Sequence, residues 1–251
     1  MINVLLCGAN GRMGNAVRRI ANENPALCIA AGFDINTESS DFPVYDNLQK
    51  VTENIDCIID FSHPSLTDEV LDYAKKNTIP AVICTTGLSK EQISKIEFYS
   101  KDTPIFFSAN MSLGVNLLID LVTKASKVLE SNFDIEIVEK HHNQKLDAPS
   151  GTALAIADAI SDTVAFNPKY VFDRHSVRKK RDKDEIGIHA VRGGNIVGEH
   201  TVIFAGNDEI IEVKHSATSR EVFAVGAVRA AIFMYQKAPG LYSMADLVKE
   251  Y

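Results

Sequence analysis

The sequence predicts an α/β protein: a parallel sheet covered by helices on both faces, followed by a second, α+β domain with a mixed sheet. Three observations carry this. Strand and helix signals alternate through the first 110 residues. A glycine-rich turn joins the first strand signal to the first helix signal. After Asn110 the alternation gives way to one long helix and a cluster of strands.

Ile2–Cys7 (INVLLC) is an apolar run of buried-strand length. Residues 11–24 (GRMGNAVRRIANEN) come next with helical spacing, placing Met13, Ala16, Val17 and Ile20 on one face. Residues 26–34 and 56–62 read as further strands. Residues 64–77 read as a helix with Pro64 in its tolerant first turn. Residues 79–87 and 103–110 are two more strands, with a helix over 89–100 between them. A long helix is expected over 113–130, an alternating half-buried strand over 133–141 and a helix over 151–164. Residues 185–217 read as three strands broken by GGNIV and a GND turn. The segment 219–236 is helical, with Val222, Val225, Ala230 and Phe233 near one face. The charge-dense run 174–185 reads as a solvated loop.

Apolar residues make up 45% and charged residues 24% of the 251, the balance of an ordinary folded soluble chain. No apolar run approaches the ~20 residues of a membrane span. The N-terminal apolar run has no basic region before it and leads into the glycine turn, so it does not read as a signal peptide, and a cytoplasmic protein is expected. The net charge of −7 argues against nucleic-acid or membrane partners. Cys7, Cys28, Cys57 and Cys84 have no CxxC spacing and lie in apolar runs, as reduced buried thiols do.

The turn CGANGRMG carries Gly8, Gly11 and Gly14 between a strand and a helix, the context of a dinucleotide-binding turn. Glycines allow close approach to a pyrophosphate, and the helix N-terminus offers it N–H groups and partial positive charge. Asn10 stands where the usual middle glycine would be; asparagine tolerates left-handed backbone. Asp34 ends the second strand 20 residues after Gly14, where a carboxylate accepts ribose hydroxyls. Its neighbour is Ile35 rather than an arginine, so the site favours NADH over NADPH. Cys84–Gly87 and Ser108–Ser112 lie beyond the carboxyl ends of strands, where ligands of such sheets sit.

The stretch EKHHNQKLDAPSGTA (139–153) places His141, His142 and Lys145 ahead of a helix start. Imidazoles and an amine deliver protons or hold carboxylates. Pro149 discourages helix before it, Ser150 or Thr152 can cap the helix after it, and the amides of Ser150, Gly151 and Thr152 make an anion site. Together they suit a small polycarboxylate. Zinc is a rival for two histidines, but no cysteine lies near and adjacent histidines are not a usual ligand spacing, so no metal is expected. A different reductase of amino-acid metabolism, or a non-catalytic NAD(H)-sensing protein, also fits a glycine turn of this kind.

The segments GANGRMG, DFSHP, CTTG, SANMSLGVN, EKHHNQKLDAPSGTA, VRGGNIVGEHTVIFAG and SREVFAVGAVRAA occur in this order. Together they resemble the dihydrodipicolinate reductase (4-hydroxy-tetrahydrodipicolinate reductase) family of bacterial lysine biosynthesis, over nearly the whole chain. The resemblance implies a Rossmann-like domain, 1–110 completed by 220–251, interrupted by a substrate-binding and tetramerisation domain over 111–219. It implies reduction of a cyclic imine dicarboxylate with NADH or NADPH by a homotetramer. By motif match, His141 and Lys145 take the proton-donor roles and His142 a substrate contact. Ser150, Gly151 and Thr152 fall on the carboxylate-binding loop. Gly8, Ala9, Asn10, Gly11, Arg12, Met13, Asp34, Cys84, Thr85, Thr86, Ser108, Ala109, Asn110 and Met111 fall on cofactor contacts. Ile35 departs from members that carry an arginine there for NADP, although Arg12 remains able to reach a phosphate.

Overall fold

Alternation within the first strand explains why the sheet is covered on both faces. In β1 (Ile2–Cys7), Val4 and Leu6 enter one apolar cluster and Leu5 and Cys7 the other. The computed structural model describes residues 1–38 and 41–250. Two compact units divide the chain: 1–113 with 221–251, and 114–220.

The first unit holds a parallel sheet of β1, β2 (Leu27–Phe33), β3 (Val44–Tyr45), β4 (Cys57–Asp60), β5 (Ala81–Ile83), β6 (Pro104–Phe107) and β12 (Gly240–Tyr242). Its spatial order is β12-β6-β5-β4-β1-β2-β3. From β1 the chain steps outward to β2 and β3, then returns to lay β4, β5 and β6 on the other side. The switch lies between β1 and β4, and the crevice at the carboxyl ends of such neighbours is where ligands bind.

Helix α1 (Arg12–Asn22) and helix α6 (Glu221–Met234) pack on one face, while α2 (Thr67–Asn77) and α3 (Lys90–Tyr99) pack on the other. The expected apolar face of α6 holds only in part: Ala230 is buried and Phe233 packs against the core, while Val222 is half-buried. Val225 is exposed, and the buried residues include Ala224, Ala227, Val228, Ala231 and Met234. Apolar side chains surround this helix on nearly every side, so spacing alone does not select a face. The short strands β3 and β12 and the final helix α7 (Met244–Lys249) carry too few residues to announce themselves by periodicity.

In the second unit, α4 (Leu113–Leu129), whose first residue closes the first unit, and α5 (Gly151–Ser161) cover a five-stranded mixed sheet. Its strands are β7 (Asp134–His141), β8 (Lys169–Val171), β9 (Glu185–Arg192), β10 (Gly198–Ala205) and β11 (Ile210–Ala217), in the order β11-β10-β7-β9-β8. β7 runs parallel to β9 and antiparallel to β10. Along β7, Ile135, Ile137, Glu139 and His141 are buried and their neighbours half-buried, so a carboxylate and an imidazole continue the core face begun by two isoleucines.

The run 174–185 is not a simple solvated loop. Arg174 bonds Glu136 and Glu185, Lys179 pairs with Glu185, and Arg181 reaches Glu136, Asp134 and the carbonyls of Ile135 and Glu185. Arg174 and Lys179 hold the Glu185 carboxyl down at about 2. The acidic partners come from β7 and the start of β9, which the local charge pattern does not reveal.

Candidate active site

The glycine turn is a backbone device. Gly8 has φ of 75°, and a Cβ there would stand 2.6 Å from the Phe61 carbonyl oxygen at the end of β4. A Cβ on Gly14 would meet the Gly8 carbonyl oxygen at 2.2 Å, which is how α1 comes so near the turn. Gly11 is the N-cap of α1, no side chain caps it, and no acidic residue occupies the first turn. The helix start is therefore open to an anion from solvent.

Asn10 is not left-handed; Gly8 alone in the turn has positive φ. The Asn10 side chain instead donates to the carbonyls of Asn36 and Glu38 at 2.6 and 2.9 Å. Asp34 accepts the Asn10 backbone N–H on Oδ2 at 2.9 Å and the Asn36 N–H on Oδ1 at 3.0 Å. Each carboxylate oxygen has a second lone pair available for a hydroxyl. Ile35 beside it is 91% exposed and supplies no charge. Arg12 is exposed.

Beyond β5 and β6, Thr85, Thr86, Ser108 and Ala109 line a cleft of about 190 Å³ with Ile93 and Phe107. Ala9, Cys84 and Met111 are buried in the core, so these three offer a ligand only backbone. The Asn110 side chain accepts the Ser112 N–H at 2.8 Å. Burial raises the thiols of Cys7, Cys57 and Cys84, and all four cysteines are unpaired.

Asp60, at the end of β4, escaped the sequence reading. It is fully buried and accepts the Ser62 N–H at 2.9 Å and the Thr85 hydroxyl at 2.8 Å, which ties the loops after β4 and β5 together. Burial pushes its carboxyl up against the pull of those bonds. A lone acid closing the apolar run CIID was its signal.

In the second unit, β7, β9, β10 and the start of α5 converge on one carboxylate, Glu139. Arg192 donates to both its oxygens, at 2.7 and 2.8 Å. The Ser150 backbone N–H donates to Oε1 at 3.0 Å, and His141 Nδ1 lies 2.6 Å from Oε2. Burial raises the Glu139 carboxyl, but Arg192, His141 and the Ser150 amide outweigh it and hold the group below the usual carboxylate range. A carboxylate only accepts, so the His141 proton sits on Nδ1 and leaves Nε2 unencumbered. Nε2 is near β10, where a Cβ on Gly198 would come within 3.1 Å.

Ser150 is the cap of α5: its hydroxyl accepts the Ala153 N–H at 3.1 Å. The same hydroxyl lies 3.0 Å from His200 Nε2, and the His200 ring stands edge-on to His141 with centroids 5.3 Å apart. Ser150 is therefore engaged through both amide and hydroxyl, contrary to a wholly free amide row. Gly151 remains open, with nothing within 4 Å of its Cβ position, and Thr152 is half-buried beside it. Burial, then His141, pushes His200 down to about 4.

His142 lies just past the end of β7, half-buried, and its carbonyl accepts the Lys145 N–H at 3.2 Å. The Lys145 ammonium pairs with Asp147 at 2.9 Å and lowers that carboxyl. Arg192 also donates to the Asp147 carbonyl at 2.6 Å, bracing the loop before α5. Glu139, Arg192 and His200 were missed in the sequence. Glu139 had a signal, two positions before His141 and so on the same strand face; Arg192 and His200 stand in VRGGNIVGEHTVIFAG, a stretch whose local pattern marks only strands and a turn. Among the described residues no group of three or more His, Cys, Asp or Glu is arranged to hold a metal, and no helix is long and apolar enough to cross a membrane.

Two family models match the chain: "Dihydrodipicolinate reductase, N-terminus" over residues 2–111 and "Dihydrodipicolinate reductase, C-terminus" over 114–248. The chain is 55% identical to the 4-hydroxy-tetrahydrodipicolinate reductase of Caldanaerobacter subterraneus subsp. tengcongensis, over 100% of this chain and 99% of that one. It is 50% identical to the enzyme of the same name from Clostridium novyi, over 99% of each. Among solved structures it is similar to a dipicolinate-bound dihydrodipicolinate reductase from a Paenisporosarcina species, with TM-score 0.81, 26% identity and 97% of each chain covered.

Proposed function

The chain belongs to the dihydrodipicolinate reductase family, and from that premise we infer that it reduces 4-hydroxy-tetrahydrodipicolinate to tetrahydrodipicolinate with NAD(P)H, in lysine and diaminopimelate biosynthesis. The residues present fit a dinucleotide. The Gly8 turn has no room for a side chain, the α1 start is uncapped, and Asp34 keeps a free lone pair on each oxygen. Bound there, the cofactor supplies a hydride to the substrate ring.

The residues of this chain do the rest. The α1 start holds phosphate, Asp34 holds the adenosine ribose, and the Thr85–Thr86 and Ser108–Asn110 loops receive the remainder of the dinucleotide. NADH is favoured, because the Asp34 carboxylate repels a 2′-phosphate and exposed Ile35 offers no compensating charge; Arg12 is the residue through which NADPH also serves. Gly151 and Thr152 at the α5 start, with Ser150 as their cap and His142 beside them, hold a substrate carboxylate. Lys145 adds a cation to that grip and, with His141, delivers the proton that completes reduction. Dipicolinate bound to the Paenisporosarcina relative supports a planar ring dicarboxylate as the occupant.

One observation carries this reading. The shared carboxylate of Glu139 ties a buried histidine to the N-terminus of a helix. A sensor that only binds NAD(H) has no need of that pairing. The face of the second sheet turned from its core carries Val138, Thr201, Ile203 and exposed Val191, and we take it as the homotetramer surface, tested by light scattering. Four free thiols suit work in the cytoplasm. The deciding experiment makes the labile substrate in situ from aspartate semialdehyde and pyruvate with the preceding synthase. NADH and NADPH oxidation are then monitored separately. Oxidation of both, with the higher kcat/KM for NADH, is expected; oxidation of neither overturns the function.

A further inference from the structure

We propose that Glu139 is the positioning residue for proton delivery. Clamped by Arg192, it orients the His141 ring through Nδ1, presents Nε2 as the working nitrogen, and locks that ring to the start of α5. The inference rests on the reading of His141 as a proton donor and adds a residue that neither touches the reacting atoms nor takes the proton itself.

The geometry carries it. Glu139 is fully buried on the core face of β7, a place where a carboxylate survives only if each oxygen is paired. Arg192 lies opposite His141 in the β7–β9 register and reaches back with two bonds, one to each Glu139 oxygen. The third donor is the Ser150 amide and the fourth the His141 ring. One anion therefore sets two distances: from β7 to the proton donor, and from β7 to the helix start that grips a carboxylate.

The proton step balances simply. Hydride addition leaves an electron pair on the conjugated substrate. The His141 Nε2–H bond breaks, its electron pair stays on Nε2, and the proton forms the new bond to the substrate. The product imidazole is neutral with Nδ1–H retained toward Glu139. The two Arg192 bonds make the Glu139 carboxylate a poor acceptor of the Nδ1 proton, so the proton delivered comes from Nε2. The other charged or titratable groups facing His141 are His200 from β10, whose ring stands edge-on to it, and Arg192 from β9, which shares the Glu139 carboxylate.

The test uses the full-length enzyme. Glu139→Gln keeps the shape and removes the charge. Expected are a kcat at least 10-fold lower at pH 7, a substrate KM changed less than threefold, and an alkaline limb of the kcat–pH profile moved about one unit toward acid. A merely structural Glu139 would lower the melting temperature and leave that limb in place. A limb that stays put with kcat within threefold overturns the proposal. Histidine-¹⁵N NMR of the unmutated enzyme, with the His141 signal assigned by its loss in His141→Gln, reads the tautomer directly. For the neutral ring, observed above the alkaline limb, the Nδ1–H tautomer is expected, the Nε2–H tautomer overturns the inference, and this reading stands even if Glu139→Gln does not fold. His141→Gln separates the two levels: retained turnover removes the proton-donor reading itself. Lost turnover beside an unmoved Glu139→Gln limb removes only the role of Glu139.

Discussion

The two candidate ligand sites of this chain are built from different materials. The turn after β1 is made of backbone: a left-handed Gly8, a Gly14 that lets α1 come close, and an uncapped helix start. The cluster on β7, β9, β10 and α5 is made of buried side chains that bond one another: Glu139 holds Arg192, His141 and the Ser150 amide, and the Ser150 hydroxyl meets His200. The turn excludes side chains at Gly8 and Gly14; the second cluster depends on them. A backbone site is therefore sensitive to added volume and nearly indifferent to pH, while a site of buried ionisable groups is sensitive to both charge and pH.

The sharpest way to break that contrast is to remove the side-chain chemistry alone. His141→Ala and Lys145→Ala are each expected to lower kcat by about 10²–10⁴-fold. Cofactor binding, read by NADH fluorescence titration, should stay within threefold of the parent. Near-normal turnover in both variants would contradict the assignment of proton delivery to this cluster.

Acid should strike the second site next. His200 titrates in the fold at about 4, below the ordinary 6.5. The unfolded chain therefore takes up its proton first. The stability tied to neutral His200 is fully present above pH 6.5 and is lost as pH falls toward 4, by up to about 3 kcal/mol. Urea denaturation from pH 7 to 4 should show the parent losing more stability than His200→Gln. Parallel pH curves for the two proteins would contradict a buried neutral imidazole.

Added volume tests the first site. Gly8→Ala forces a Cβ into a left-handed position, at a cost of about 1–2 kcal/mol before the contact with the Phe61 carbonyl is counted. A rise of about tenfold or more in NADH KM is expected, with the kcat–pH profile unmoved. A shifted profile would mean that the two sites are not independent in the way their construction implies.

The smallest effect should come from Asp34. Asp34→Ala removes charge-assisted bonds to the Asn10 and Asn36 amides and to a ribose. The ratio of NADPH to NADH kcat/KM should rise about tenfold, measured by absorbance with each cofactor. An unchanged ratio would leave Asp34 as a loop brace only.

Legibility in the sequence obeyed the same division. The glycine turn, Asp34 and the strand-end loops could be named because the dinucleotide end is assembled from short contiguous stretches with fixed φ and spacing. Even there the reason for Asn10 was misjudged, since its work is a pair of side-chain bonds to residues 26 and 28 positions on. In the other unit, His141, His142, Lys145 and Ser150 stand together in one stretch and could be named from it, whereas the parts played by Glu139, Arg192 and His200, residues that the fold packs around His141 and Ser150, could not. The face of α6 was only partly legible because a helix apolar on most sides carries no directional pattern.

By itself the sequence determined the succession of strands and helices, the turn that only glycine can make, and the capped start of α5, because each depends on neighbours a few residues away. The tertiary structure alone decided that Arg192 stands opposite His141, that His200 stands opposite Glu139, and that Asp60 closes on Thr85. The first two pairings are set by strand register, and a slip of one residue would send those side chains to the other face; the third depends on where the loop after β5 passes the end of β4. Register depends on the whole packed sheet rather than on any short segment of the chain.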